Sequence, residues 1–315
     1  MTTGGRLLNA VDGVLLLDKP RGLSSQQAVA RVKRLYSARK AGHTGTLDPM
    51  ADGLLPIGLG EATKFTQYVL DADKRYLATL RLGVTTSSGD AEGEILQQRP
   101  VSVHRAEVGP VLQRFTGPQI QTPPMHSAIK IDGKPLYTYA RKGIEVERKP
   151  RPVRIDDIQL VDFIDNNMKI RVACSKGTYV RVLAEDIGAA LGCGAHLTAL
   201  TRESAGPFQL VAAAKLDELE NLDRSGRMGR LLPADTFAGE LPRLDLDAQV
   251  QSRTVMGQGV RLQGTAPGLY RLYGGDGFIG VGEVVGDMLL ARRLMIQSSG
   301  MAAARSGLSN PPVTG

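Results

Sequence analysis

The stretch Gly42-His43-Thr44-Gly45-Thr46-Leu47-Asp48-Pro49-Met50-Ala51-Asp52-Gly53-Leu54-Leu55-Pro56 constrains the chain more than any other. Its glycines permit positive φ and close approach of a ligand to the backbone. Pro49 drives Asp48 out of the α region, into an extended or turn geometry. Asp48 is therefore presented on a loop, with apolar Leu47, Leu54 and Leu55 anchoring both sides. Four readings of the stretch compete. A phosphate loop requires a lysine directly after its second glycine, and Lys64 is far from that position. A metal site built on His43, Asp48 and Asp52 finds no ligand spacing in His104, His126 or His196. A structural Asp-Pro turn and a carboxylate acting as nucleophile or base both remain open.

A chain of 315 residues has length for two domains and a sizeable core. Its net charge of +7 favours a polyanionic partner such as nucleic acid. The cysteines, Cys174 and Cys193, form no CxxC pair, which argues against a disulfide framework or zinc site. No apolar run reaches membrane-spanning length, and Met1–Asn9 lacks a signal-peptide pattern. A reduced, cytoplasmic protein without membrane attachment is expected.

Along the chain, residues 13–18 read as a buried strand. A helix capped by Ser24 or Ser25 follows, with Ala28, Val29, Val32, Leu35 and Tyr36 on its apolar face and Arg31, Lys33 and Arg34 off it. Residues 60–70 and 103–115 read as helices. Period-two alternation puts Tyr76, Ala78, Leu80 and Leu82 on one face of a strand over 75–83. Residues 85–93 form a polar hairpin or loop. Further strands are expected over 169–175 and 195–202, and a helix after Tyr179 that ends at Gly192. Residues 210–223 read as an acidic, solvated helical connector. The segment 121–154 stands apart: from Lys130 to Arg154, eight cations face three acids, leaving a net +5. It reads as an ordered but mobile insertion that contacts phosphates. Beyond Ala234, short glycine-punctuated segments indicate a small β-barrel or sandwich. Domains are assigned to 1–245 and 246–297, followed by a disordered tail over 298–315.

Periodicity alone does not show that Tyr76, Tyr179 and Arg181 meet Asp48 in one cleft. The Gly42–Pro56 stretch, however, closely resembles the TruB family of tRNA pseudouridine-55 synthases. The likeness extends to Asp18-Lys19-Pro20, residues 60–64, Lys74-Arg75-Tyr76, residues 121–130, Ser175–Arg181 and Gly194–Arg202. It implies an α+β fold, with a pseudouridine-synthase catalytic domain built on a central antiparallel sheet and a small C-terminal PUA-like RNA-binding barrel. It implies isomerisation of the T-loop uridine 55 of tRNA to pseudouridine after base flipping, by a monomer with no cofactor, metal or guide RNA. By resemblance, Asp48 is the catalytic nucleophile, Arg181 holds it ionised, and Tyr76 stacks on the target uracil and assists proton removal. Tyr179 and Leu200 line the pocket, and His43 fills the gap left by displaced bases. Lys19, Lys64, Lys130 and Arg202 are expected RNA contacts, and the basic insertion closes over the stem-loop. A tRNA folding activity, alone or beside catalysis, is the competing reading.

Overall fold

The computed structural model describes residues 11–131 and 133–295. The expectations for the first nine residues and for the tail over 298–315 lie outside the described residues.

A ten-stranded sheet forms the body of the protein. Across it run strands Ala214–Lys215, Gly13–Lys19, Asp52–Leu59, Ala195–Ala205, Lys74–Leu82, Asn167–Cys174, Arg151–Ile164 and Gly117–Gln121, with Ala41–His43 paired to Asp52–Leu59 and Phe208–Gln209 to Ala195–Ala205 off this path. The unbroken apolar run Val14-Leu15-Leu16-Leu17 follows from its place inside this sheet, because a strand covered on both faces need not alternate. Leu15 and Leu17 enter the larger core, with Leu55, Ile57, Tyr76 and Leu80. Val14 and Leu16 enter a second core on the opposite face, with Leu54, Phe65, Phe208 and Phe237. The Lys74–Leu82 strand alternates as its sequence predicts, with Tyr76, Ala78, Leu80 and Leu82 all buried.

The sheet is mixed rather than purely antiparallel. Ala214–Lys215 pairs in parallel with Leu17–Asp18, and Thr201–Arg202 pairs in parallel with Asp52–Gly53. The first of these pairings corrects the expectation of a solvated helix over 210–223. That segment contains a 3-10 turn, the strand and a short helix, Leu216–Asn221, whose Leu216 and Leu219 enter the larger core. The second pairing needs Gly53: its φ is +96°, and a Cβ there would lie 2.6 Å from the Arg202 carbonyl oxygen.

Two helices pack beside the catalytic-loop candidates. Ser25–Leu35 starts on a capping box, in which the Ser24 hydroxyl accepts from the Gln27 amide and the Gln27 side chain accepts from the Ser24 amide. Val180–Ala190 packs Val180, Leu183, Ala184 and Ile187 onto the sheet. Its Gly188 lies so close to the Ala195 strand that a Cβ would come within 2.2 Å of the Ala195 nitrogen. Residues 60–70 divide into a 3-10 helix, Gly60–Phe65, and a single turn, Gln67–Leu70, instead of one helix.

The C-terminal sheet has five strands, in the order Arg243–Asp245, Gly268–Gly274, Gly277–Val285, Met288–Leu294 and Val260–Arg261. It begins at Arg243, three residues inside the segment assigned to the first domain, because Arg243–Asp245 pairs with Arg271–Tyr273. The two units share apolar contact. Phe278 meets Phe65 edge to face at 5.1 Å, and the Lys64 ammonium donates to the Leu294 carbonyl at 2.8 Å.

Gly188→Ala should be destabilising by roughly 1–3 kcal/mol, since its methyl meets fixed backbone and overpacking has costs of that order. A lowered urea midpoint at unchanged m value is the expected result; an unchanged midpoint would mean that the helix shifts freely on the sheet.

Candidate active site

A cleft of about 640 Å³ opens between the Asp48 loop, the central strands, the start of the Val180–Ala190 helix and the basic insertion. Asp48, Tyr76, Tyr179, Arg181, His43 and Leu200 all line it. The residues that the sequence could not bring together therefore share one hollow.

Asp48 reaches the cleft through a tight turn, in which the Ala51 amide donates to the Asp48 carbonyl at 3.1 Å. The loop is tied to the first helix by Ser25, whose hydroxyl donates to the Leu47 carbonyl at 2.9 Å and accepts from the Leu47 amide at 2.7 Å. Leu47, Leu54 and Leu55 are buried anchors on either side. The Asp48 side chain is 35% exposed, whereas Arg181 beside it is only 4% exposed. The pair is 3.1 Å apart. Arg181 also faces the buried Asp90 at 3.5 Å and donates to the carbonyls of Ser88 at 3.2 Å and His126 at 2.7 Å. Burial pushes the Asp48 carboxyl above the ordinary carboxylate value; Arg181 pulls it back and Asp90 raises it again. The expectation that Arg181 holds Asp48 ionised is thus only one side of an opposed pair of effects.

Asp90 has no role assigned from the sequence. It sits in the polar stretch between the hairpin strands Val84–Thr86 and Ile95–Gln98. Ser88 donates to its carboxylate, and so does the Glu92 amide at 3.0 Å. Its only sequence signal is a carboxylate bracketed by Gly89 and Gly93, the pattern that also marks Asp48.

Tyr76 is buried against the larger core and lies across the sheet from Arg202 in strand register. Burial raises the Tyr76 phenol, and the neighbouring Arg202 partly offsets this. Tyr179 caps the start of its helix. Gln121, itself buried, pins it by accepting from the Tyr179 amide at 2.9 Å. His43 accepts from the Gly45 amide at 3.2 Å, and burial lowers its pKa. Among the described residues, no group of three or more His, Cys, Asp or Glu is placed to hold a metal ion.

The four cations named as RNA contacts separate. Lys130 is exposed on the insertion. Lys19 does not reach solvent at all: it is 0% exposed, and its ammonium donates to the carbonyls of Pro20 and Leu23. Burial lowers its pKa to about 8. Arg202 is 1% exposed and donates to Leu54 O at 2.7 Å and Gly45 O at 3.2 Å, which clamps the Asp48 loop to the sheet. Lys64 is bound to Glu61 and to Leu294 at the junction with the C-terminal unit. Sequence charge does not reveal which cations point inward. The insertion is also shorter than 121–154, since Gln121 and Arg151–Arg154 are strand residues of the central sheet. Between them, Lys130–Ile131 pairs with Lys134–Pro135, and a short helix, Leu136–Ala140, follows. Lys130, Lys134, Arg141, Lys142 and Lys149 are exposed, while Ser127, Ala128 and Ile129 line the cleft.

Comparison with known proteins places this cleft in context. Residues 33–180 match the N-terminal domain of the TruB family of pseudouridylate synthases. Residues 181–237 match the tRNA pseudouridylate synthase B C-terminal domain, and 242–295 the C-terminal domain of pseudouridine synthase II TruB. A tRNA pseudouridine synthase B of Aromatoleum aromaticum is 51% identical over 288 residues, covering 91% of this chain and 94% of its own. One from Dechloromonas aromatica is 52% identical over 291 residues, covering 92% and 97%. Among solved structures, a chain of an H/ACA RNP bound to a substrate RNA containing 2'-deoxyuridine superposes with a TM-score of 0.68 at 23% identity, over 91% of this chain and 86% of that one. This likeness concerns the fold alone. With matches across both of its units, the chain belongs to the TruB family of pseudouridylate synthases.

Proposed function

We propose that this protein converts uridine 55 in the T-loop of tRNA to pseudouridine, with Asp48 as nucleophile. The observation that carries this reading is the Asp48–Arg181 pair at 3.1 Å, in a cleft shared with Tyr76, Tyr179 and Leu200. The kinship with proteins named tRNA pseudouridine synthase B supports the same substrate.

The chemistry is a rearrangement. The bond from the ribose C1' to uracil N1 breaks, the ring turns, a bond from C1' to C5 forms, the C5 proton leaves and N1 takes up a proton. Atoms and electrons balance within the substrate and no co-reactant is consumed. A base inside a folded loop is out of reach, so it is everted into the cleft at a cost of a few kcal/mol. Phosphate contacts from the exposed cations of the insertion offset that cost. Asp48 then attacks, at the sugar or at the base, and keeps the two fragments together; its bond to the substrate breaks again as the product forms. Arg181 aims the carboxylate and favours its charged form. The Tyr76 ring, fixed by its neighbours, gives the uracil a stacking surface, and its phenol takes part in proton removal. Tyr179 and Leu200 close the pocket, and His43 occupies space vacated in the loop. The protein acts as a monomer without a guide RNA.

Three outcomes are expected. Asp48→Asn should abolish pseudouridine formation on an unmodified tRNA transcript, with binding within about threefold of wild type, because the shape is kept and the nucleophile is lost. Persisting conversion would overturn the role of Asp48, and wild type that modifies nothing without a further component would overturn the whole reading.

The single-turnover rate should rise with pH through a limb above the ordinary aspartate value of about 3.9. The direction follows from burial, which raises the Asp48 pKa while the ionised form is the one that reacts. Arg181→Gln should move that limb further up, since the cation that favours ionisation is gone. A wild-type limb at or below the ordinary value would mean that the ion pair outweighs burial.

Binding of tRNA should weaken steeply with salt. Lys130→Gln/Arg141→Gln should reduce the slope of log K against log salt by about 0.9 for each phosphate that is no longer neutralised. An unchanged slope would remove the insertion from the RNA interface.

A further inference from the structure

A second basic surface lies outside the cleft. From Ser25 to Lys40 the chain carries five cations and no acid, and from Arg224 to Arg230 three cations and no acid. The fold brings these segments together. The Tyr36 hydroxyl donates to the Arg227 carbonyl at 2.9 Å. Arg31 approaches Glu220 at 3.9 Å, and Leu35, Leu222 and Leu231 pack on the same core. Arg227 and Arg230 both lie near enough to the Tyr36 phenol to counter part of the rise that burial imposes on it.

The surface is largely unneutralised. Cations elsewhere, such as Arg105, Arg171, Arg261 and Arg292, sit in ion pairs with nearby carboxylates. Of the eight cations here, only Arg31 does so among the described residues. The acids of the neighbouring segment precede the cations, at Asp217, Glu218, Glu220 and Asp223, and the Asp223 carboxylate is engaged by the Gly226 amide as a helix cap at 2.7 Å. All eight cations except the half-buried Arg227 are exposed.

Position links this face to the cleft. The helix Ser25–Leu35, about 16 Å long at 1.5 Å per residue, starts where Ser25 grips the Asp48 loop. Its exit at Lys40 leads directly into Ala41–His43, and His43 lines the cleft. Lys40 is therefore about 10 Å of extended chain from the site. The face is thus joined by the chain to the His43 edge of the cleft. A duplex presents about one phosphate charge per 1.7 Å of axis, so the seven cations of this face that lack an ion pair among the described residues suffice to meet several phosphates.

We propose that this face binds the phosphate backbone of the same tRNA, beyond the stem-loop held in the cleft. The inference rests on the tRNA reading above and adds a second, sequence-independent contact to it.

The test compares full-length tRNA transcript with the isolated T-arm stem-loop, for wild type, Arg34→Gln/Arg230→Gln and the control Arg105→Gln/Arg171→Gln. Arg34, Arg230 and Arg105 are exposed and Arg171 is half-buried; substitutions at exposed sites leave folding essentially intact, and an unchanged thermal midpoint verifies it for both variants. The first variant should bind full-length tRNA roughly tenfold more weakly at physiological salt, with the salt slope reduced by about 2. Stem-loop affinity and the single-turnover rate at saturation should match wild type, and the control should match wild type on both RNAs. Equal losses on both RNAs, or unchanged affinity and slope on full-length tRNA, would overturn the proposal. Loss of binding to phosphatidylserine vesicles with tRNA binding intact would assign the face to lipid and overturn it as well. Failure of wild type to form pseudouridine on either RNA would instead strike the functional reading, because the binding comparison does not depend on turnover.

Discussion

The buried guanidinium of Arg181 is the constraint on which the site depends. An arginine cannot shed its charge in a protein, and an unpaired buried charge is strongly destabilising. At 4% exposure Arg181 must therefore be surrounded by acceptors. It has two carboxylates, Asp48 and Asp90, and two carbonyls, from Ser88 and His126. These come from three segments far apart in sequence: the Asp48 loop, the hairpin and the insertion. One side chain thereby ties these three segments together around the nucleophile candidate. Because Arg181 opens a helix seated on the sheet through Gly188, its own position is set by backbone packing.

The same economy governs the other inward-facing cations. Arg202 binds carbonyls at both ends of the Asp48 loop region, at Gly45 and Leu54. Lys19 binds the carbonyls that follow its own strand. Each satisfies backbone acceptors that would otherwise be buried without donors. Cations of this kind hold the backbone around the pocket and add positive charge near Asp48. The exposed basic residues fall into two groups, on the insertion and on the face formed by the first helix and residues 224–230.

Much of the fold was legible in the sequence. Period-two burial on the Lys74–Leu82 strand, the Ser24 capping box and the apolar face of the Val180–Ala190 helix all express local physics that side-chain spacing records. The acidic composition of the 210–223 segment masks the apolar anchors Leu216 and Leu219. The two-residue strand inside it pairs with a partner some two hundred positions earlier, and no local pattern encodes such a contact. The mixed character of the sheet was hidden for the same reason. Likewise, nothing in a lysine or arginine itself distinguishes Lys19 and Arg202 from exposed Lys130; acceptor geometry and burial make that distinction.

By itself, the sequence determined that an aspartate would be held on a glycine-flanked Asp-Pro turn, and that the protein would carry excess positive charge. Both follow from the intrinsic conformational limits of glycine and proline and from composition. Only the tertiary structure decided that Asp48 faces Arg181, that Asp90 shares that cation, and which positive charges turn inward. Those outcomes arise from strand order and helix seating, in which residues brought together across the sheet compete to satisfy one another's buried charges.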